Sequence, residues 1–215
     1  MENLLKSMKI NENINDTMAL SINYNSLGLT LTRLGSAEQA VTELSRAVTL
    51  RPDFAEAYNN LGLAYLELKR SPAAIEALEK AVALDPKSAH LRNNLGHAYT
   101  TVKEYDKALR ELRRAIDLDP AFYGPYENLG VLMTQRGQYR EAITELEKAA
   151  RLVPQVASVR KNMGGAYLGL KQYPKAIELL REALTLDPKY AQARLNLGTV
   201  YFEQGQYQPA LAEYR

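Results

Sequence analysis

A glycine recurs every 34 residues along almost the whole chain, and this spacing constrains the fold more than any other feature of the sequence. The six glycines are Gly28, Gly62, Gly96, Gly130, Gly164 and Gly198. An alanine follows each of them twelve residues later, and a proline closes each of the first five units. A period of this length is typical of stacked helix pairs, because one pair cannot bury its apolar face alone and needs a neighbour. The sequence therefore predicts a linear array of repeated helix pairs.

Two amphipathic helical patterns with a short break between them make up each unit. Glycine and alanine let two helices cross closely, and larger residues such as Leu61 and Leu78 fill the space around the contact. Pro86 cannot continue a helix and forces its predecessor out of the helical region, so it ends the unit. Pro72 suits the first turn of a second helix, where a missing N–H costs nothing. Each unit is thus expected to be entirely α-helical.

The repeat register divides the chain into one unrelated segment and six units. Residues 1–20 are rich in asparagine, poor in alanine, and predicted to be a non-repeat N-terminal segment. The units are 21–54, 55–88, 89–122, 123–156, 157–190 and a truncated 191–215. Because the last unit stops inside its second helix, we expect Val200, Leu211 and Tyr214 to be exposed, and this open end to allow weak self-association.

These recurring residues resemble those of the tetratricopeptide repeat family. The resemblance rests on Leu-Gly, Ala and Pro at fixed offsets and covers residues 21–215. It implies an all-α, right-handed superhelical solenoid of antiparallel helix pairs, in which first helices line a concave groove and second helices the convex side. A pentatricopeptide array, which binds RNA, would have a 35-residue repeat with different signature residues, so this class of protein is disfavoured here.

Composition excludes several classes of partner. Net charge is +2, from 27 basic and 25 acidic residues, without the basic stripe that nucleic-acid binding normally requires. No apolar run approaches 18 residues, so no membrane span is predicted. Cysteine is absent, which rules out disulfides and thiol chemistry. Such a composition fits a reducing cytosol, which we favour, and also fits a periplasm.

No catalytic or cofactor motif stands out. The chain has no nucleophile elbow, Walker loop, dinucleotide fingerprint or zinc-spaced ligand set. Its two histidines, His90 and His97, are seven residues apart, whereas a helical metal pair usually has i, i+4 spacing. Gly165 and Gly169 match a membrane dimer motif, but polar neighbours indicate instead a thin wall of the groove. We therefore predict no cofactor, no metal and no enzymatic activity of the chain itself.

A series of asparagines stands two residues before the repeated glycines. Its members are Asn60, Asn94, Asn128, Asn162 and Asn196. The series resembles the asparagine ladder in the superhelical region of O-linked N-acetylglucosamine transferases, and this resemblance implies that the amides hold an extended peptide by its backbone. An amide side chain offers both a donor and an acceptor, as a peptide backbone does. The same amides can instead form hydrogen bonds within or between helices, and the sequence leaves both roles open.

Other residues of the first helices are predicted to give the groove its specificity. The candidates are Leu63, Leu66, His97, Glu127, Val131, Lys161, Leu168 and Phe202. If His97 and Glu127 faced each other, the carboxylate would favour a protonated imidazole. Gly165 stands where the carboxylate clamp of chaperone-tail receptors has asparagine, which disfavours an acidic chaperone C-terminus as ligand.

The sequence thus predicts a non-catalytic scaffold that binds an extended peptide or a partner helix in its concave groove. An alternative is that the array is the substrate-selecting arm of a larger enzyme such as a glycosyltransferase. Another alternative is a structural array that assembles with copies of itself.

Overall fold

A computed structural model of the chain describes residues 16–215. This part of the chain contains twelve α-helices and no β-strand. The helices are α1 (Thr17–Arg33), α2 (Ala37–Leu50), α3 (Ala55–Glu67), α4 (Ser71–Leu84), α5 (Ala89–Thr101), α6 (Tyr105–Leu118), α7 (Tyr123–Gln135), α8 (Tyr139–Leu152), α9 (Ala157–Gly169), α10 (Tyr173–Leu186), α11 (Ala191–Glu203) and α12 (Tyr207–Tyr214).

The first helix begins inside the segment that was predicted to lie outside the repeats. Asp16 is its N-cap, and the Asp16 side chain accepts a hydrogen bond of 2.9 Å from the backbone N–H of Ala19. Such a cap satisfies an N–H group that has no partner within the helix. Predictions for residues 1–15 fall outside the described residues.

The chain forms two compact units, whose boundary falls within α6 between Glu111 and Leu112. In the first unit, α1 packs on α2 and α3 on α4, while α1, α3 and α5 contact one another in sequence. The second unit repeats this arrangement, with pairs α7–α8, α9–α10 and α11–α12 and a row of first helices α7, α9 and α11. The prediction of an all-α solenoid of helix pairs is confirmed.

In four of the helix pairs, the repeated glycine lies against a buried leucine of the second helix. A β-carbon placed on Gly62 would lie 2.5 Å from Cγ of Leu78, and one on Gly130 would lie 2.4 Å from Cγ of Leu146. The same contact joins Gly28 to Leu44 and Gly164 to Leu180. In the last pair the leucine is replaced by Tyr214, whose ring lies against Gly198. These distances leave no room for any side chain larger than hydrogen at these five glycines.

A residue with a positive φ angle lies in the middle of the three-residue connection between the two helices of a pair. Gly35, Gly137 and Gly205 have φ angles of 74°, 75° and 73°, a conformation that glycine adopts without steric cost. At the equivalent position of three other repeats the residue is a lysine, still with positive φ: Lys69, Lys103 and Lys171. The tight turn is therefore kept even where the residue is unfavourable for it.

One expectation about the last repeat is wrong. Val200 is fully buried, because it packs in a cluster with Ala193, Leu197 and Ala210 of the same helix pair. Leu211 and Tyr214 are exposed, as expected.

Across residues 16–215, no helix combines the length with the apolar character that a membrane crossing requires.

Adjacent glycines on α9 provide a direct test of the packing. Gly164→Ala should lower the free energy of unfolding by about 1–3 kcal/mol, because the added methyl group overlaps Leu180, whose Cγ lies 2.7 Å from the β-carbon position. Gly165→Ala should raise it by about 0.5–1 kcal/mol, since alanine favours a helix and the nearest group, Nδ2 of Asn196, is 3.8 Å away. Urea unfolding of both variants measures the difference, and effects of the same sign would contradict the register.

Candidate binding surface on the first helices

Hydrogen bonds between asparagines join consecutive first helices in the first unit. Nδ2 of Asn60 on α3 donates to Oδ1 of Asn25 on α1 over 2.9 Å. Nδ2 of Asn94 on α5 donates to Oδ1 of Asn59 on α3 over 2.8 Å. We call such a bond an amide step. In each step, the asparagine two residues before a repeated glycine donates to the residue that stands three positions before the repeated glycine of the preceding repeat. Asn60 is only 7% exposed, so its amide is used inside the protein.

The second unit has an amide step in the same register, but with charged residues. Nδ2 of Asn162 on α9 donates to Oε1 of Glu127 on α7 over 2.8 Å. On its other side, the Asn162 carbonyl accepts a hydrogen bond of 2.6 Å from Nζ of Lys161. Asn128 on α7 is half-buried and also engaged by a neighbouring group. The amide steps thus join consecutive first helices within each compact unit.

Asn196 on α11 departs from this pattern. The residue that should accept its hydrogen bond is Lys161, and an ammonium group has no acceptor. Among residues 16–215, Asn196 has no hydrogen-bond partner, and its amide nitrogen lies beside Gly165. The sequence could have revealed this break, because position 161 is the only acceptor position in the series that is occupied by a lysine.

The apolar residues predicted to line the groove differ in exposure. Leu63, Leu66, Val131 and Leu168 are half-buried. Phe202 is 57% exposed and contacts Tyr207 edge-on, with ring centroids 5.6 Å apart. Leu195, which lies on the same helix and was not among the predicted binding residues, is 56% exposed. The second unit therefore presents two large apolar side chains on α11.

Lys161 lies in a half-buried, mixed-charge environment. Burial lowers the pKa of its ammonium group, and the carboxylate of Glu127 opposes this effect. The Tyr190 ring centroid is 5.9 Å from Nζ. Burial also raises the pKa of the Tyr190 hydroxyl, together with the carboxylates of Glu127 and Asp187. The lysine is thus poorly solvated, and one partner carboxylate stabilises its charge.

The structure does not support a protonated His97 that a facing carboxylate would stabilise. The side chain reaches the protein surface, yet enough protein surrounds the imidazole that burial lowers its pKa below the usual 6.5. A neutral imidazole near pH 7 follows. His97 belongs to the first unit and Glu127 to the second.

Among the described residues, no cluster of three or more His, Cys, Asp or Glu side chains has the geometry to hold a metal ion.

Comparison with known families agrees with the repeat geometry. A family model described as the tetratricopeptide repeat protein 21 C-terminal ARM domain matches residues 1–199. A second model, described simply as tetratricopeptide repeat, matches residues 191–215. The chain belongs to the tetratricopeptide repeat family. No curated protein sequence matches it significantly.

Solved structures share the fold at low sequence identity. The APC/C hetero-tetramer Cut9–Hcn1 has a TM-score of 0.85 and 20% identity over 99% of this chain, which spans 42% of that chain. A thermophilic TPR protein of Thermus thermophilus has a TM-score of 0.77 and 23% identity over 85% of this chain and 99% of its own. YrrB, described as a TPR protein with an unusual peptide-binding site, has a TM-score of 0.60 and 22% identity over 87% and 95%.

An asparagine of the series should contribute to the free energy of unfolding only where it forms an amide step. Asn60→Ala leaves the buried carbonyl of Asn25 without its donor and should lower the free energy of unfolding by about 1–3 kcal/mol. Asn196→Ala breaks no hydrogen bond and should change it by less than about 0.5 kcal/mol. Denaturant titration of the two variants makes the comparison, and a larger loss for Asn196→Ala would refute this assignment.

His97 should make stability depend on pH in the mildly acidic range. Its pKa is lower in the folded protein than in the unfolded chain, so the unfolded state binds a proton first as the pH falls. Unfolding temperature should therefore drop between about pH 7 and pH 5, and His97→Gln should reduce that drop. His90→Gln provides the matched control at the chain's other histidine. An unchanged pH profile in His97→Gln would contradict the prediction.

Proposed function

We propose that this chain is a protein-interaction scaffold that holds an extended peptide or a partner helix against its first helices. The observation that carries the proposal is the exposure of Leu195 and Phe202 on α11, the helix that packs beside α9 and Lys161. Exposed large apolar groups on a surface that also carries fixed polar groups are typical of sites that bind another molecule.

The proposed surface combines two kinds of interaction. Leu195 and Phe202 offer apolar area that a ligand side chain can remove from water. Lys161, Glu127 and Asn196 offer charge and hydrogen bonds on the neighbouring part of the wall. In the first unit, the equivalent wall carries neutral polar residues and the half-buried Leu63 and Leu66. The two units therefore offer different chemistry to a ligand.

Family membership supports a protein-interaction role. YrrB is described as having a peptide-binding site, and Cut9 is found in a complex with Hcn1. Both share the fold of this chain, and a binding role for this chain is inferred by analogy with them.

Truncating the exposed apolar side chains tests the proposal. A peptide selected from a displayed library of random 12-residue sequences, with the full chain as bait, serves as probe. Phe202→Ala and Leu195→Ala should each weaken its binding by about tenfold or more, because each removes roughly 1.5–3 kcal/mol of apolar burial. Fluorescence anisotropy with the labelled peptide measures the dissociation constants.

Leu186→Ala is the matched control, since Leu186 is also exposed but ends a second helix. The affinity of Leu186→Ala for the selected peptide should equal that of the unmodified chain. Loss of affinity in Leu186→Ala with none in the α11 variants would place binding on the outer surface instead. Failure to select any peptide would count against the proposed function itself.

A further inference from the structure

We propose that the cleft between α3 and α4 binds an arginine side chain of a partner protein, with the guanidinium group lying over the ring of Tyr58. This cleft would give the scaffold a second interaction site. It uses none of the residues assigned above to peptide binding, so it holds or fails independently of the proposed function.

The cleft combines a buried apolar floor with a charged rim. It has a volume of about 660 Å³. Leu61 and Ala77 are buried at its floor, and the rings of Tyr58 and Tyr65 are half-buried beside them. The charged residues of the rim are all exposed: Glu76, Glu79 and Lys80. With two carboxylates against one ammonium group, the cleft favours a cationic ligand.

Two other repeats hold a cation over the equivalent tyrosine. Tyr24 in the first repeat and Tyr126 in the fourth occupy the same repeat position as Tyr58. The guanidinium carbon of Arg46 lies 5.6 Å from the Tyr24 ring centroid, and Nζ of Lys148 lies 5.8 Å from the Tyr126 ring centroid. A cation in this place is attracted by the negative face of the ring. The chain therefore uses this tyrosine position twice to bind a positive charge.

A glutamate fixes each of these two cations. Nη1 of Arg46 donates to both carboxylate oxygens of Glu43, over 3.2 and 3.0 Å. Nζ of Lys148 donates to both oxygens of Glu145, over 2.8 and 3.0 Å. Each cation is thus held by a carboxylate on its own helix and by the ring of the neighbouring helix.

The second repeat has the tyrosine and the cation but lacks the glutamate. Ala77 stands at the glutamate position, and Lys80 stands at the position of Arg46 and Lys148. Among residues 16–215, Lys80 forms no ion pair and no cationic group lies over the Tyr58 ring. Because no carboxylate anchors Lys80, the Tyr58 ring lacks the cation that its two equivalents have, and a ligand can supply it.

The third and fifth repeats also hold a positive charge of their own at this place. Arginine replaces the tyrosine in both: Nη1 of Arg92 lies 2.7 Å from Oε2 of Glu111, and Nε of Arg160 lies 3.2 Å from Oε2 of Glu182. The fifth repeat has a similar cleft of about 630 Å³, but its arginine and glutamate already pair with each other. Of the first five repeats, which all fall within the described residues, only the second has no internally held cation here.

Arginine suits this cleft better than lysine does. A guanidinium group is planar, so it can lie flat on a ring and still direct its N–H donors sideways to carboxylates. Glu76 forms no ion pair within residues 16–215. Glu79 accepts a hydrogen bond at Oε1 from the Tyr99 hydroxyl, which leaves Oε2 available to a ligand. The aliphatic part of an arginine side chain can cover Leu61 and Ala77 at the floor.

Nuclear magnetic resonance of the isotope-labelled full chain tests the site directly. The probe is the peptide acetyl-Gly-Arg-Gly-amide, and its neutral analogue with citrulline in place of arginine tests the need for charge. The arginine peptide should saturably shift the resonances of the Tyr58 ring and of the α4 backbone amides, whereas the citrulline peptide should leave them unchanged. Tyr58→Leu should weaken binding by about three- to tenfold, because leucine has no negative ring face. Tyr126→Leu is the matched control and should leave the affinity unchanged, since Lys148 already covers that ring.

Ala77→Glu gives the sharpest test. The new carboxylate should anchor Lys80 over Tyr58, as in the first and fourth repeats, and should thereby weaken binding of the arginine peptide by about tenfold or more. A simple gain of negative charge would instead strengthen the binding of a cation. Lys80→Ala should raise the affinity by about twofold or more, because it removes an ammonium group that repels the ligand.

Any of three results would overturn the inference. Equal binding of the arginine and citrulline peptides would show that the cleft does not recognise charge. An unchanged or raised affinity in Ala77→Glu would show that the Tyr58 ring is not the docking point. Binding of acetyl-Gly-Glu-Gly-amide that is lost in Lys80→Ala would make the cleft a carboxylate site. None of these results bears on Leu195 and Phe202, whose role is measured with the library-selected peptide, so failure here is distinct from failure of the proposed function.

Discussion

The contact between a glycine and a leucine sixteen residues later is the constraint on which the rest of the structure depends. At Gly28, Gly62, Gly130 and Gly164 the leucine side chain occupies the volume that a β-carbon would need. The glycine backbone of the first helix can therefore lie directly against the leucine side chain of the second helix. The alanines around this contact are fully buried. Dense packing of this kind tolerates little added volume. In the last pair, Tyr214 takes the place of the leucine.

The packing also positions the candidate binding surface. Because the repeat length is constant, the residues two and three before each glycine recur at the same place on each first helix, and amide steps can form in one register. A hydrogen bond between buried amides adds little net energy but makes other registers costly, since each would leave polar groups unpaired. The asparagines thus contribute to the specificity of stacking.

Function and packing compete for the same side chains. An asparagine that joins two repeats is less able to hold a ligand, and the structure shows this occupation for Asn60, Asn94 and Asn162. The second unit differs because Glu127 and Lys161 replace the asparagines found at the equivalent positions of the first unit. Charge enters the wall there, next to the exposed Leu195 and Phe202. Variation at one repeat position can therefore alter the surface without altering the fold.

The sequence by itself determined the repeat length, the all-α class and the position of each helix pair, because glycine, alanine and proline act through local sterics that a spacing of 34 residues makes visible. Only the tertiary structure decided which asparagines are already paired, since their partners lie 35 residues away on a neighbouring helix. It likewise decided that Val200 is buried and that the pKa of His97 is lowered by burial rather than raised by a carboxylate. Burial and pairing depend on what surrounds a side chain in space, and a repeat pattern specifies only where that side chain lies on its own helix.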